Sequence, residues 1–91
     1  MQNLEDLRKE INNIDDKIID LLSKRKDLVK DIAQIKKGAN KPILDKGREQ
    51  HILERLKLRS KEKNLDESFI RSIYNIILKS SKEEQEKIVK G

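Results

Sequence analysis

Eight polar side chains stand at positions where a helical chain is expected to bury apolar ones. Burying a charge is costly unless a partner neutralises it, so a seam between helices that holds several cations is expected to close around an anion. The set contains no nucleophile–base pair and no metal-binding cluster. It therefore suits a reaction accelerated by positioning and by a fixed electrostatic field, such as a pericyclic rearrangement of a polyanion. The eight residues are Arg8, Arg25, Lys36, Asp45, Arg48, Glu49, Ser81 and Gln85.

A very long first helix is predicted by the spacing of apolar residues near the start of the chain. They fall at positions 4, 7, 11, 14, 18, 21, 28, 32 and 35, which is heptad spacing interrupted only at Arg25. No Gly or Pro precedes Gly38, so we predict a helix from about residue 3 to 37. Gly38 and Pro42 then predict a loop over residues 38–42, because Gly closes a helix and Pro prevents its continuation.

Two shorter helices follow, which makes the predicted fold class all-α with three helices per chain. Asp45 is a candidate N-cap for a second helix that lasts to about residue 62, and Asn64 is a candidate left-handed stop. Asp66 or a neighbour is expected to cap the third helix. One face of that helix turns polar in its last third, along Ile70, Ile73, Ile77, Ser81, Gln85 and Ile88.

The length of the first helix predicts a homodimer. A chain of 91 residues is expected to form a single domain, residues 1–91, with a radius of gyration of about 12 Å when compact. The first helix would be roughly 50 Å long and would overhang that domain. A second copy of the chain is the simplest cover for its apolar seam, so we predict an interlocked homodimer.

The spacing of the cations on the first helix predicts shared sites. Arg25 and Lys36 return to within roughly 20° of one face, about 16 Å apart along the axis, so both long side chains can reach one small ligand. Arg8 lies about 25 Å from Arg25 along the same helix, which is too far for that ligand. In an antiparallel pair of chains, Arg8 of one subunit can approach Arg25 and Lys36 of the other.

Composition argues against several other classes of function. The 22 basic and 17 acidic residues are interleaved, with a net charge of +5 and only 2% aromatic residues, so nucleic-acid binding is disfavoured. With no cysteine, there is no thiol nucleophile or thiolate metal site. The start of the chain lacks the apolar stretch of a signal peptide and the longest apolar run is residues 76–78, so we expect a cytoplasmic protein without a membrane span.

These residues together resemble the all-helical chorismate mutases of the short bacterial type. The resemblance implies an intertwined homodimer and an isomerase that converts chorismate to prephenate by a [3,3] sigmatropic (Claisen) shift, a step of phenylalanine and tyrosine biosynthesis. It implies no cofactor. It covers about residues 4–86 and is carried by LRKEINNIDDKIIDLLSKR, IKK before the loop, KPILDKGREQHILERL and NLDESFIRSIYNIILKSSKEEQ.

The resemblance also implies a role for each of the eight residues. Arg25 and Arg8 of the partner subunit are expected to bind the two substrate carboxylates. Lys36 and Gln85 are expected to donate to the ether oxygen, which gains negative charge in the transition state.

Four further residues complete the expected site. Glu49 is expected to accept a hydrogen bond from the ring hydroxyl, with a backbone amide near Asp45 assisting. Arg48 is expected to orient Glu49, and Ser81 is expected to touch a carboxylate.

Alternatives remain open for the function and for single residues. An isochorismate pyruvate-lyase would use the same fold for a pericyclic elimination, and a non-catalytic domain could bind chorismate or prephenate to regulate a shikimate-pathway enzyme. A basic helical nucleic-acid binder is a further alternative. Taken alone, Arg25 could be an interhelical ion-pairing residue, Asp45 merely a cap, and Ser81 and Gln85 the solvated end of the third helix.

Overall fold

Three helices make up the computed structural model, which describes residues 3–91. They are α1 (Leu4–Ala39), α2 (Lys46–Glu62) and α3 (Glu67–Lys90). The prediction of an all-helical chain with one very long helix is confirmed.

The two ends of α1 have local causes. Asn3 is the N-cap, and its side chain accepts a hydrogen bond from the Asp6 backbone N–H at 2.9 Å. The predicted end at residue 37 is wrong, because Gly38 is helical and Asn40 adopts the left-handed conformation instead, with φ of 54°. Asparagine tolerates this conformation, and the Lys41 N–H closes the end by donating to the Lys36 carbonyl at 2.8 Å.

The predicted caps of the other two helices are confirmed. The Asp45 carboxylate accepts from the Arg48 N–H at 2.9 Å at the start of α2. Asn64 takes a φ of 55° after α2, where the Leu65 N–H donates to the Ser60 carbonyl at 2.8 Å. Asp66 caps α3 through the Ser68 N–H at 3.2 Å.

Helix α3 is the centre of the fold, because it packs against both α1 and α2. The buried apolar side chains of the described chain are Val29 and Ala33 on α1 and Leu78 on α3. Gln85 and Ser60 are buried as well, and the Ser60 hydroxyl is satisfied by the Leu56 carbonyl at 2.7 Å. So small a core leaves much apolar surface uncovered in a single chain.

The uncovered apolar surface lies mainly on α1. The chain extends 57 Å along its longest axis and has a radius of gyration of 16.6 Å, as expected for a helix that overhangs its domain. The face of α1 that meets α3 holds Val29 and Ala33, so the heptad stripe does not pack within the chain. We call that stripe the α1 seam; its exposed members are Leu4, Leu7, Ile11, Ile14, Ile18, Leu21, Leu28, Ile32 and Ile35.

Over residues 3–91, none of the three helices combines the length and the apolar character that crossing a bilayer would demand.

Candidate functional site

Lys36 and Gln85 form the most buried part of the site. The Lys36 ammonium, near the end of α1, donates to the Gln85 side-chain oxygen Oε1 at 2.9 Å and to the Ile43 carbonyl at 2.8 Å. Gln85 is only 8% exposed although it lies in the polar last third of α3. Two of the three ammonium protons are thereby used, and the third remains for a ligand, as do both amide protons of Gln85.

Arg25 and Ser81 form a second contact between α1 and α3. A guanidinium nitrogen of the half-buried Arg25 donates to the Ser81 hydroxyl, which itself donates to the Ile77 carbonyl at 2.9 Å. The hydroxyl thus holds the guanidinium against α3 while the other guanidinium protons stay available. A planar group of this kind suits the two oxygens of a carboxylate.

Glu49 joins the site from the first turns of α2. Its carboxylate lies 3.3 Å from the Lys82 ammonium on α3, and it is half-buried. The carboxylate of Asp45 caps α2, as predicted. Its place in the substrate site, with the contribution of a nearby backbone amide, stays a prediction.

The structure thus gathers four of the eight predicted residues by direct contacts on one stretch of α3. Arg25 and Lys36 reach it from α1 and bond Ser81 and Gln85, which rules out a solvated end of α3 as the interpretation of those two. Glu49 reaches the same stretch through Lys82.

Two predicted residues lie apart from these contacts in the single chain. Arg48 is exposed, and the side chain that contacts Glu49 is Lys82, so the expected role of Arg48 stays a prediction. Arg8 is exposed on the overhanging part of α1. Helix α1 runs unbroken between Arg8 and Arg25, and the role of Arg8 in another site stays a prediction.

Lys82 and Glu84 make contacts that the sequence did not predict. The Glu84 carboxylate on α3 lies 4.0 Å from the Lys26 ammonium on α1, and the Glu84 side chain is 17% exposed. Many acidic and basic residues lie in the last third of α3, so composition alone does not distinguish Lys82 and Glu84 from the other charged residues there. Their spacing around Ser81 and Gln85 was the available signal, because residues three or four apart share a helix face.

The electrostatics of the site favour an anion. Arg25 and Lys36 bond neutral oxygens, so neither cation is neutralised by a carboxylate in these contacts. A groove of about 590 Å³ runs beside Arg25 and Ser81 between α1 and α3, and its lining also includes Ile76, Lys26 and Glu84. Within residues 3–91, no three His, Asp or Glu side chains come together in a metal-binding arrangement.

The chain matches known proteins over most of its length. Residues 7–86 match the family model described as chorismate mutase type II. The chain is 38% identical to the chorismate mutase of Methanocaldococcus jannaschii over 82 aligned residues, which are 90% of this chain and 83% of that protein.

Longer relatives share the same region. The chain is 43% identical over 82 residues to the bifunctional chorismate mutase/prephenate dehydratase of Buchnera aphidicola subsp. Schizaphis graminum, covering 90% of this chain and 21% of the relative. It is 32% identical over 75 residues to the bifunctional protein of the same name from Escherichia coli strain K12, covering 82% of this chain and 19% of the relative. The chain therefore spans about a fifth of these bifunctional proteins.

Proposed function

Since this chain belongs to the chorismate mutase type II family and is thus an isomerase of aromatic amino acid biosynthesis, we propose that its site converts chorismate to prephenate by one concerted [3,3] sigmatropic rearrangement. The ether C–O bond breaks while a C–C bond forms within the same molecule, so no proton, electron or second reactant is exchanged. Such a reaction needs only a site that holds the compact reactive conformer and stabilises developing charge. No cofactor is part of the proposal.

The contact between Lys36 and Gln85 carries the proposal. It sets an ammonium and an amide side by side, each with unused protons, in the most buried part of the site. Both can donate to the ether oxygen as its bond breaks, and one such donor is worth about 3 to 4 kcal/mol in a transition state. A donor pair with no adjacent base suits charge stabilisation better than proton transfer.

Carboxylate binding is assigned to the arginines. Arg25, held against α3 by Ser81, binds one substrate carboxylate, and the Ser81 hydroxyl lies near the same group. Arg8 of the partner subunit binds the other. Holding both carboxylates fixes the folded conformer before the reaction and removes its conformational entropy in advance.

The ring hydroxyl of the substrate is assigned to the α2 side of the site. Glu49 accepts its hydrogen bond there, since an ionised carboxylate is an acceptor only. Arg48 adds positive potential, and a backbone amide near Asp45 assists. The carboxylate of Asp45 itself keeps α2 in register by capping it.

An intertwined homodimer completes the proposal, because Arg8 lies too far from Arg25 along α1 of the same chain for both to hold one substrate. The α1 seam supports it: Leu4, Ile11 and Ile14 are 62%, 56% and 55% exposed, which is apolar surface that a second α1 can cover. Two equivalent sites then form, each with Arg8 from one subunit and Arg25 and Lys36 from the other. We place this dimer in the cytoplasm.

A direct optical assay tests the proposal. Purified protein is mixed with chorismate, and the loss of chorismate absorbance and the formation of prephenate are followed. A parallel assay with isochorismate measures pyruvate release. Prephenate without pyruvate is the expected result. Pyruvate release would identify a lyase, and binding of chorismate without turnover would identify a regulatory domain.

A further inference from the structure

Lys82 contacts a residue of the site, yet the proposed roles leave it unused. Its ammonium lies 3.3 Å from Glu49 Oε1, and the two side chains are 39% and 28% exposed. It directly follows Ser81 and precedes Gln85 by three residues, so it lies on the stretch of α3 that holds both. The contact joins α3 to α2 at the edge of the site.

Lys82 differs from the other cations of the site in its bonding partner, which is a carboxylate. Arg25 and Lys36 bond neutral oxygens and keep their charge for an anion. Glu49 is a carboxylate beside a site for a doubly negative ligand, and like charges repel. Lys82 is the cation that neutralises it within the described chain.

We propose that Lys82 is a positioning residue, which holds the Glu49 carboxylate at the site and cancels its repulsion of a dicarboxylate substrate. This inference rests on the proposed function. Glu49 has three rotatable side-chain bonds, so without a partner its carboxylate has several accessible directions. A contact this exposed adds little to the stability of the fold. Its effect is therefore on the placement and charge of Glu49.

A double-mutant cycle tests the inference with four proteins: the wild type, Lys82→Met, Glu49→Gln and the double variant. Lys82→Met keeps the length of the side chain and removes its charge. We expect Lys82→Met to lower kcat/KM about tenfold in the wild-type background and less than about twofold in the Glu49→Gln background, because the carboxylate that Lys82 positions and neutralises is absent there. An equal fall in both backgrounds would mean that Lys82 acts on the substrate directly, which would overturn the inference.

Two matched variants separate charge and position from folding. Lys82→Arg restores a cation of similar reach and is expected to keep kcat/KM within about threefold of the wild type. Lys79→Met removes an exposed lysine one turn earlier on α3 and is expected to have no effect. Far-ultraviolet circular dichroism verifies equal helicity in all variants. A loss in Lys79→Met equal to that in Lys82→Met, or no rescue by Lys82→Arg, would overturn the inference.

The same double-mutant cycle can be measured by ligand binding, without turnover. The dissociation constant of prephenate, measured by calorimetry, is expected to rise for Lys82→Met and to stay level for the same change made in Glu49→Gln. An active wild type with an unaffected Lys82→Met variant refutes only the role of Lys82. A wild type that turns over no chorismate refutes the proposed function as well.

Discussion

The ammonium of Lys36 lies 2.9 Å from Oε1 of Gln85, which fixes the direction of the Gln85 amide. Its oxygen is occupied, so its two N–H groups point to the remaining side, where a ligand oxygen can accept them. The same contact anchors Lys36 between α3 and the Ile43 carbonyl of the loop after α1. Two donors are thereby preorganised before any substrate binds.

Gln85→Glu should make kcat/KM depend on pH, with higher values at acidic pH. An amide donates at any pH, so the wild type is expected to have a nearly flat kcat/KM from about pH 5 to 8. A carboxyl group donates only when protonated, and Lys36 beside it favours the ionised form. The variant should therefore gain activity as the pH falls. A pH profile that matches the wild type would remove Gln85 from the proposed role.

Arg25→Ala and Lys36→Ala should each lower kcat/KM by about 100-fold or more, since each removes a ligand contact. Helicity should stay unchanged, because both side chains are only half-buried. Steady-state kinetics and circular dichroism check the two expectations. Lys30→Ala, an exposed charge on the same helix, is the matched control. Full activity in either site variant would exclude that residue from the site.

Mixed dimers should reveal shared sites. Arg8→Ala and Arg25→Ala chains are each expected to be inactive alone. A heterodimer of the two has one site with both arginines intact and one with neither, so mixing them should restore activity, ideally to about half of the wild-type value per dimer. Differently tagged chains allow the heterodimer to be purified and assayed. Verified heterodimers without recovered turnover would rule out a shared site.

Ile14→Asp should disrupt assembly. Ile14 is 55% exposed in the single chain, and the proposed dimer covers it, so a charge at this position must be buried unpaired. We expect the dimer dissociation constant to rise at least about tenfold. Sedimentation measured over a range of protein concentrations gives this constant. Asn13→Asp adds the same charge at the neighbouring exposed position and should leave assembly intact.

Asp45 variants should separate capping from substrate binding. Asp45→Ala removes the acceptor for the Arg48 N–H and is expected to cost about 1 kcal/mol of unfolding free energy. Asp45→Asn keeps an acceptor and should preserve both stability and turnover. Denaturation at one fixed protein concentration, together with the optical assay, measures both. If Asp45→Asn keeps its stability but loses turnover, the charge itself belongs to the site.

Local features of the fold were predictable from the sequence. The caps at Asp45 and Asp66 and the left-handed residue Asn64 depend on a few neighbouring residues, so each could be placed without knowing the packing. Gly38 misled the prediction of the end of α1 because Asn40 supplies the left-handed position two residues later. A glycine is tolerated inside a helix when the stop is provided elsewhere.

Features set by packing could not be predicted in the same way. The spacing of apolar residues identified the α1 seam but did not single out the face with Val29 and Ala33, which is the one that meets α3. Lys82 was missed for a related reason. It lies among other charged residues near the end of α3, and only the register between α2 and α3 determines which lysine meets Glu49.

The unbroken course of α1 from Leu4 to Ala39 has a consequence for how its length can change. One added residue between Arg8 and Arg25 would leave the helix intact but rotate one side chain by about 100° relative to the other. In the proposed dimer, that rotation would turn an arginine away from both sites at once. In that dimer, the number of residues between the two arginines is therefore constrained by the angle between their side chains about the axis of α1, even where the stability of the helix would tolerate an insertion.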